Sequence, residues 1–359
     1  MKRNTLSSVF VILILTCLVL LLLSPAISAQ DFLADIFPGL KQIRVEEGQN
    51  FVYSIRAEKE GEVTIGEIDF LFVEIDHGII EIIIEGEFGG QPVSARAMGW
   101  KDTPWELISN IGSELEIQLP GEIREMYAST FSMAMLYTAI YGDQFELGWE
   151  LKDEDHFESA VMFIPEMASY AGVDGYLIKL GESDEMFLEF SVRTDLLLPL
   201  MVNISSPEEA FEEEFYLVDT NYSIELIGFT EDADISRVDV SSTDAPLLIL
   251  AGVVENFKEQ GLAVGERSPK FYDMMGAVAG FGIDIEGDEV ELYLFDPETS
   301  SPDVLENLEL ARETGEFDSM GFPMPAYVNN YVLMTGLEFG SIYQHPAKDE
   351  IIEIFMSYQ

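Results

Sequence analysis

From residue 51 the chain alternates apolar and polar side chains with a period of two. Phe51, Tyr53, Ile55 and Ala57 fall on one side, and Ser54, Arg56 and Glu58 on the other, the pattern of a strand with one buried face. Val63 to Ile75, Ile79 to Phe88 and Pro92 to Met98 continue in the same way. They are separated by the turn formers Asp76-His77-Gly78 and Gly89-Gly90, so an antiparallel meander is predicted. Ile79, Ile80, Ile82, Ile83 and Ile84 make the third strand apolar on both faces, and both must then be covered. Lys101 to Gly112 reads as irregular or briefly helical. Met126 to Tyr141 predicts a helix stopped by Gly142 in the left-handed conformation. Its wide apolar surface, with Phe131, Met135, Leu136, Tyr137 and Ile140, is expected to pack into the concave face of the sheet as core.

Strands are predicted again at Phe145 to Leu151, Ser159 to Ile164, Gly175 to Leu180, Met186 to Val192, Leu198 to Ile204, Glu214 to Val218 and Tyr222 to Phe229, with Gly142-Asp143 and Gly181-Glu182 as hairpin punctuation. Residues 30–230 are thus expected to form a large antiparallel, half-barrel-like β domain with one long helix. Residues 231–245, rich in Asp, Ser and Thr, read as a linker. In residues 246–359 helical spacing appears at Leu247, Leu250, Val254 and Phe257, opened by Asp244 as N-cap and Pro246 and closed by Gly261. A strand near Leu262 to Val264, a hairpin of Gly282 to Ile285 with Glu289 to Phe295, a helix capped by Ser301-Pro302 and ended by Gly315, a strand Tyr327 to Met334 and a helix Pro346 to Tyr358 follow. The fold class is α+β and β-dominated, with the second domain a small α+β sandwich.

The N-terminus changes the picture. Lys2 and Arg3 precede an apolar run from Val9 to Leu23, followed by Ser24, Pro25 and small residues to Ala29, the order of a signal peptide over residues 1–29. The competing outcome is retention as an N-terminal anchor, since Val9 to Ile27 is just long enough to cross. The one cysteine, Cys17, lies inside the apolar run, so a cleaved chain has no disulfide, thiolate ligand or thiol nucleophile.

With 18 basic and 67 acidic residues the net charge is −49, and loss of Lys2 and Arg3 takes it to −51. Such a field repels phosphate backbones and anionic lipid. Nucleic acid and anionic membrane surfaces are excluded as partners. The carboxylates read first as a solvated surface; weak divalent-cation binding is expected at most, at Asp153-Glu154-Asp155 or Glu212-Glu213-Glu214.

Two stretches carry resemblances. Gly261-Leu262-Ala263-Val264, the hairpin Gly282 to Phe295 and the helix after Ser301 resemble a small α/β domain of many secreted and lipid-anchored prokaryotic proteins, whose function is unassigned and which implies no site residue. Ala171-Gly172-Val173-Asp174-Gly175-Tyr176 with Leu198-Pro199-Leu200 is similar to β-rich secreted archaeal proteins and, more distantly, to half-barrel lipoprotein carriers of the LolA and LppX type. That resemblance implies a hydrophobic ligand.

Chemical motifs are scarce. His77, His156 and His345 have no paired metal-ligand spacing. Asp284, Glu286, Asp288 and Glu289 fall around a hairpin, where successive side chains diverge. No nucleophile elbow or phosphate-cradling glycine loop occurs. Trp100, Trp105 and Trp149 are expected in cores rather than on a sugar platform. Asn203-Ile204-Ser205 and Asn221-Tyr222-Ser223 are glycosylation sequons. No catalytic, cofactor-binding or metal residue is assigned. The reading is a secreted, non-catalytic envelope-associated or binding protein whose partner is a hydrophobic ligand or an envelope protein. The competing reading is an extracytoplasmic hydrolase using paired carboxylates, for which two facing, partly buried acids are the mark.

Overall fold

The computed structural model describes residues 37–358 apart from 60, 76–77, 102–103, 105–106, 109, 113–130, 132, 153–160, 183–184, 206–219, 237, 239–245, 271, 320 and 341. The described chain forms two compact units, residues 37–251 and 252–359. Both are built on antiparallel sheets, and β structure dominates.

In the first unit the predicted meander is β1 (Asn50–Lys59), β2 (Glu62–Glu74), β3 (Ile79–Phe88) and β4 (Gln91–Trp100). It is followed by β5 (Glu150–Lys152), β6 (Val161–Tyr170), β7 (Val173–Glu182), β8 (Glu185–Val192), β9 (Met201–Ser205) and β10 (Thr220–Thr230). These make one open ten-stranded sheet in the order β4-β3-β2-β1-β10-β9-β8-β7-β6-β5. The last strand therefore returns to pair with the first, Phe51 opposite Phe229 and Ile55 opposite Ile224.

The period-two pattern decides which side is buried. Phe51, Tyr53, Ile55, Phe70, Phe72, Ile82, Ile84, Phe190, Val202 and Ile224 share one core with the helical residues Phe131, Ala134, Met135 and Ala139. That core places a helix ending at residue 141 against one sheet face. On β3 the other face is closed as well: Ile79 and Glu81 are fully buried, as the double-sided apolar pattern requires. The edge strand β4 is protected. Lys101 N–H donates to the Gly78 carbonyl, so in β4 the even-numbered residues aim their backbone groups at the open edge. There Pro92 has no N–H to leave unpaired, and the Met98 carbonyl accepts from Asn110 Nδ2.

Several local expectations are corrected. Gly142 does not take a left-handed conformation; it opens a 3-10 turn, Gly142–Gln144. A Cβ there would meet Thr138 Cγ2 at 3.5 Å and Gly39 Cα at 3.6 Å, ordinary van der Waals contacts, so neither backbone conformation nor space demands glycine at this position. Of Phe145 to Leu151 only the end is strand, β5 beginning at Glu150, although Gly148 N–H donates to the Ile164 carbonyl and Ile164 N–H to the Trp149 carbonyl just before it. The strand expected from Leu198 starts at Met201, since Leu198 belongs to a buried crossing segment whose Pro199 carbonyl accepts from Tyr53 Oη at 2.7 Å. Asp244, Glu214 to Val218, Met126 to Tyr127, Trp105, His77 and His156, and both acidic runs lie outside the described residues.

The second unit takes in α1 (Pro246–Glu259) from Gly252 onward. Its sheet has the order β11-β12-β13-β17-β16, from β11 (Val264–Pro269), β12 (Ala279–Ile285), β13 (Asp288–Leu294), β16 (Tyr327–Asn329) and β17 (Val332–Thr335), with two small hairpins, β14 (Glu316–Ser319) with β15 (Phe322–Pro325) and β18 (Glu338–Phe339) with β19 (Tyr343–Gln344). Helix α2 (Pro302–Thr314) has the predicted ends. Ser301 Oγ accepts from Val304 N–H, and Gly315 is left-handed at φ 76°. Leu308 and Ala311 of α2 pack with Tyr293, Phe317 and Leu333. The stretch Tyr327 to Met334 is two strands rather than one, folded back at Asn330 with φ 53°. Helix α3 (Lys348–Ser357) closes the chain, held by Asn329 Nδ2 donating to the Phe355 and Tyr358 carbonyls at 2.7 Å each.

Candidate functional site

The helix over the first sheet fills the middle of its inner face. Phe131 stacks on Phe70 at 5.7 Å and meets Tyr53 edge-on at 5.8 Å. Tyr53 is buried, and burial pushes its hydroxyl well above its ordinary pKa. Thr138, also buried, returns its hydroxyl to the Ala134 carbonyl at 2.9 Å. This part of the helix is core, with its polar atoms satisfied internally.

Toward the end of the helix the packing changes character. A chain of rings runs Phe190, Tyr137, Tyr141, Trp149, Phe145, Tyr176, with successive centroids 5.8, 6.2, 5.6, 5.6 and 6.2 Å apart. Phe190 and Phe145 are buried, whereas Tyr137, Tyr141, Trp149 and Tyr176 are only partly covered. Burial first, and the neighbouring Tyr141 second, raise the pKa of Tyr137. Leu151 and Leu180 are likewise partly buried against the same core. An aromatic surface joined to a core and left half open offers an apolar guest area and hydroxyls at its margin. Trp149 thus belongs to this seam, while Trp100 is buried at 1% exposure.

The second unit gathers two partly buried acids around one cation. Glu289 and Glu291 lie two residues apart on β13, on one face. Lys270 Nζ stands 2.5 Å from Glu289 Oε1 and 2.8 Å from Glu291 Oε1. Ser268 Oγ donates to Glu289, and Tyr293 Oη donates to Glu291 at 2.9 Å. Room comes from Gly282 on the strand between: a Cβ there would meet Ser268 Oγ at 2.3 Å and Lys270 Cε at 2.7 Å. Burial alone lowers the Lys270 pKa, but the two carboxylates outweigh it and hold the ammonium above its ordinary value. Both acids thus share one cation, which offsets half of their charge, and Ser268 and Tyr293 complete a hydrogen-bonded ion-pair network around them.

The other candidate ligands separate. Asp284 Oδ1 accepts from Gly287 N–H and Glu286 Oε1 from Ala263 N–H, and among the described residues no group of three or more His, Cys, Asp or Glu is placed to hold a metal. His345 is buried, its Nδ1 accepting from Ala347 N–H at 3.0 Å and its Nε2 2.9 Å from the Ile285 carbonyl oxygen. Trp149, expected in a core, is instead partly exposed, and the seam is not legible in the sequence because its rings come from segments between residues 137 and 190 that only the fold assembles. Lys270 is nineteen residues from Glu289 in the chain and meets Glu289 and Glu291 only in the fold.

No protein-family model matches the chain, and no curated protein matches it. Among solved structures, the chain is similar to MucB at 8% identity, covering 84% of this chain and 91% of that one with a TM-score of 0.27. A MucA/MucB complex from Pseudomonas aeruginosa aligns at 10% identity over 86% and 93%, TM-score 0.25. A LolA superfamily protein from Nitrosomonas europaea aligns at 11% identity over 60% and 99%, TM-score 0.20.

Proposed function

We propose that this chain works outside the cytoplasm as a non-catalytic binding protein, and that its half-barrel-like first unit takes a hydrophobic ligand along the aromatic seam. The observation that carries the reading is the row Tyr137, Tyr141, Trp149 and Tyr176, left partly exposed where the helix ends over the sheet. Two further features support it. The export signature of Lys2, Arg3 and the apolar run Val9 to Leu23 fits a protein that leaves the cytoplasm. The acidic surface keeps such a protein soluble and turns away anionic lipid, so the ligand is a long-chain molecule without an anionic head.

The test has two arms. Native mass spectrometry of protein from its own host is expected to show a retained long-chain molecule. A brominated monoacylglycerol is expected to quench tryptophan fluorescence saturably in the wild type and not in Trp149→Phe. Absence of both effects sinks the reading.

A further inference from the structure

The two sequons lie on neighbouring strands and in register. Asn203 on β9 stands opposite Ser223 on β10, and Asn221 on β10 stands opposite Ser205 on β9. The residues between them, Val202, Ile204, Tyr222 and Ile224, are buried in the core, so Asn203 and Asn221 both face outward on the side away from the helix. They differ in surroundings. Asn221 is exposed, near the beginning of its strand, whereas Asn203 is half-buried. Each has an acidic cross-strand neighbour, Glu189 on β8 beside Asn203 and Glu58 on β1 beside Asn221, so exposure is what separates them.

Diagonal partners on an antiparallel ladder have backbones roughly 7–8 Å apart. Two branched sugars rooted that close on one flat face would occupy the same space, and the folded face accommodates one. We propose that Asn221, and not Asn203, carries an N-linked glycan in this protein. The inference rests on the reading that the chain is exported. In the transfer, Asn221 Nδ2 attacks the anomeric carbon of a lipid-phosphate-linked oligosaccharide. The new bond is Nδ2–C1, the C1–O bond to phosphate breaks, the lipid phosphate leaves with the electron pair, and one amide proton passes to solvent. No oxidant or reductant takes part.

The experiment uses full-length protein purified from its own host, with variants Asn221→Gln, Ser223→Ala and Asn203→Gln expressed there. Cleavage by a glutamyl endopeptidase separates the two sequons, since Glu208 and Glu209 lie between them. A sugar mass increment is expected on the Asn221 peptide alone, lost completely in Asn221→Gln and in Ser223→Ala and retained in Asn203→Gln. Exported protein with neither peptide modified, or with sugar on Asn203, overturns the proposal. N-terminal sequencing and fractionation of the same sample keep the two failures apart: unmodified protein retained in the cytoplasm overturns the export reading along with this one.

Discussion

At the scale of single residues the first unit depends on contacts that admit no extra atom. Gly39 sits in a 3-10 turn, Pro38–Gln42, that crosses the end of the sheet-packing helix. A Cβ on it would lie 2.1 Å from the Thr138 carbonyl oxygen and 2.9 Å from that of Ala139. Gly39 is not in the left-handed region, so the constraint is space rather than backbone conformation. Gly39→Ala is expected to cost roughly 1–3 kcal/mol, the usual range for overpacking, read as a lowered denaturant midpoint. It should also shift the fluorescence of Trp149, whose ring packs on Tyr141 at the same helix end. A variant as stable as the wild type would mean that the turn and the helix are not in contact in solution.

At the scale of elements, legibility followed locality. The strands of the meander were readable because each carries its own alternation, and α2 because Ser301, Pro302 and Gly315 act within one turn of its ends. Asn330 was hidden by the apolar run around it, although an asparagine tolerating positive φ is what a two-strand hairpin needs there. The acidic cluster of the second unit was unreadable for another reason. Ser268 and Lys270 reach Glu289 and Glu291 across an intervening strand, and only the missing side chain of Gly282 lets them pass. Lys270→Met should therefore leave two adjacent carboxylates, each about 30% exposed, without their shared cation. A loss of roughly 3 kcal/mol is expected, partly recovered by adding Glu289→Gln. The pH dependence has a definite sign. Because the folded state holds Lys270 above its ordinary value, its stabilisation is complete below the unfolded lysine pKa of about 10.4, and it is lost as pH rises through the folded value. Tyr293, pushed well above its ordinary value by burial and then by Glu291, adds to the same alkaline loss. A wild type and a Lys270→Met variant with equal urea midpoints at neutral pH would show that the network contributes nothing.

Across the whole molecule the charge of −49 sets the response to salt and acid. On the outward face of the first sheet Asp69 stands directly opposite Glu85, and Glu67 opposite Glu87, so like charges are paired across two strands. Burial first, then Glu85 and Glu67, hold the Asp69 carboxyl above its ordinary value in spite of a hydrogen bond from Asn50. With its folded pKa raised, the folded state binds the proton more tightly than the unfolded chain, so stability rises as pH falls from neutrality through the folded value, and the gain is complete below the unfolded carboxyl pKa of about 3.9. Glu338 works in the opposite direction. Lys348, 2.5 Å away, holds it low, and that stabilisation is lost as pH falls through its folded value. A stability maximum on the acid side of neutrality follows, with decline below the carboxyl range. Asp69→Asn should raise the neutral-pH stability by roughly 0.2–1 kcal/mol, the scale of one like-charge cross-strand pair. Its advantage should shrink both in acid and in 1 M sodium chloride, where the screening length is about 3 Å. Thermal melts over pH and sodium chloride, with magnesium or calcium added at matched ionic strength, make the measurement. A midpoint indifferent to salt, or an Asp69→Asn gain that persists unchanged at high salt, would show that repulsion between surface carboxylates does not govern this protein's stability.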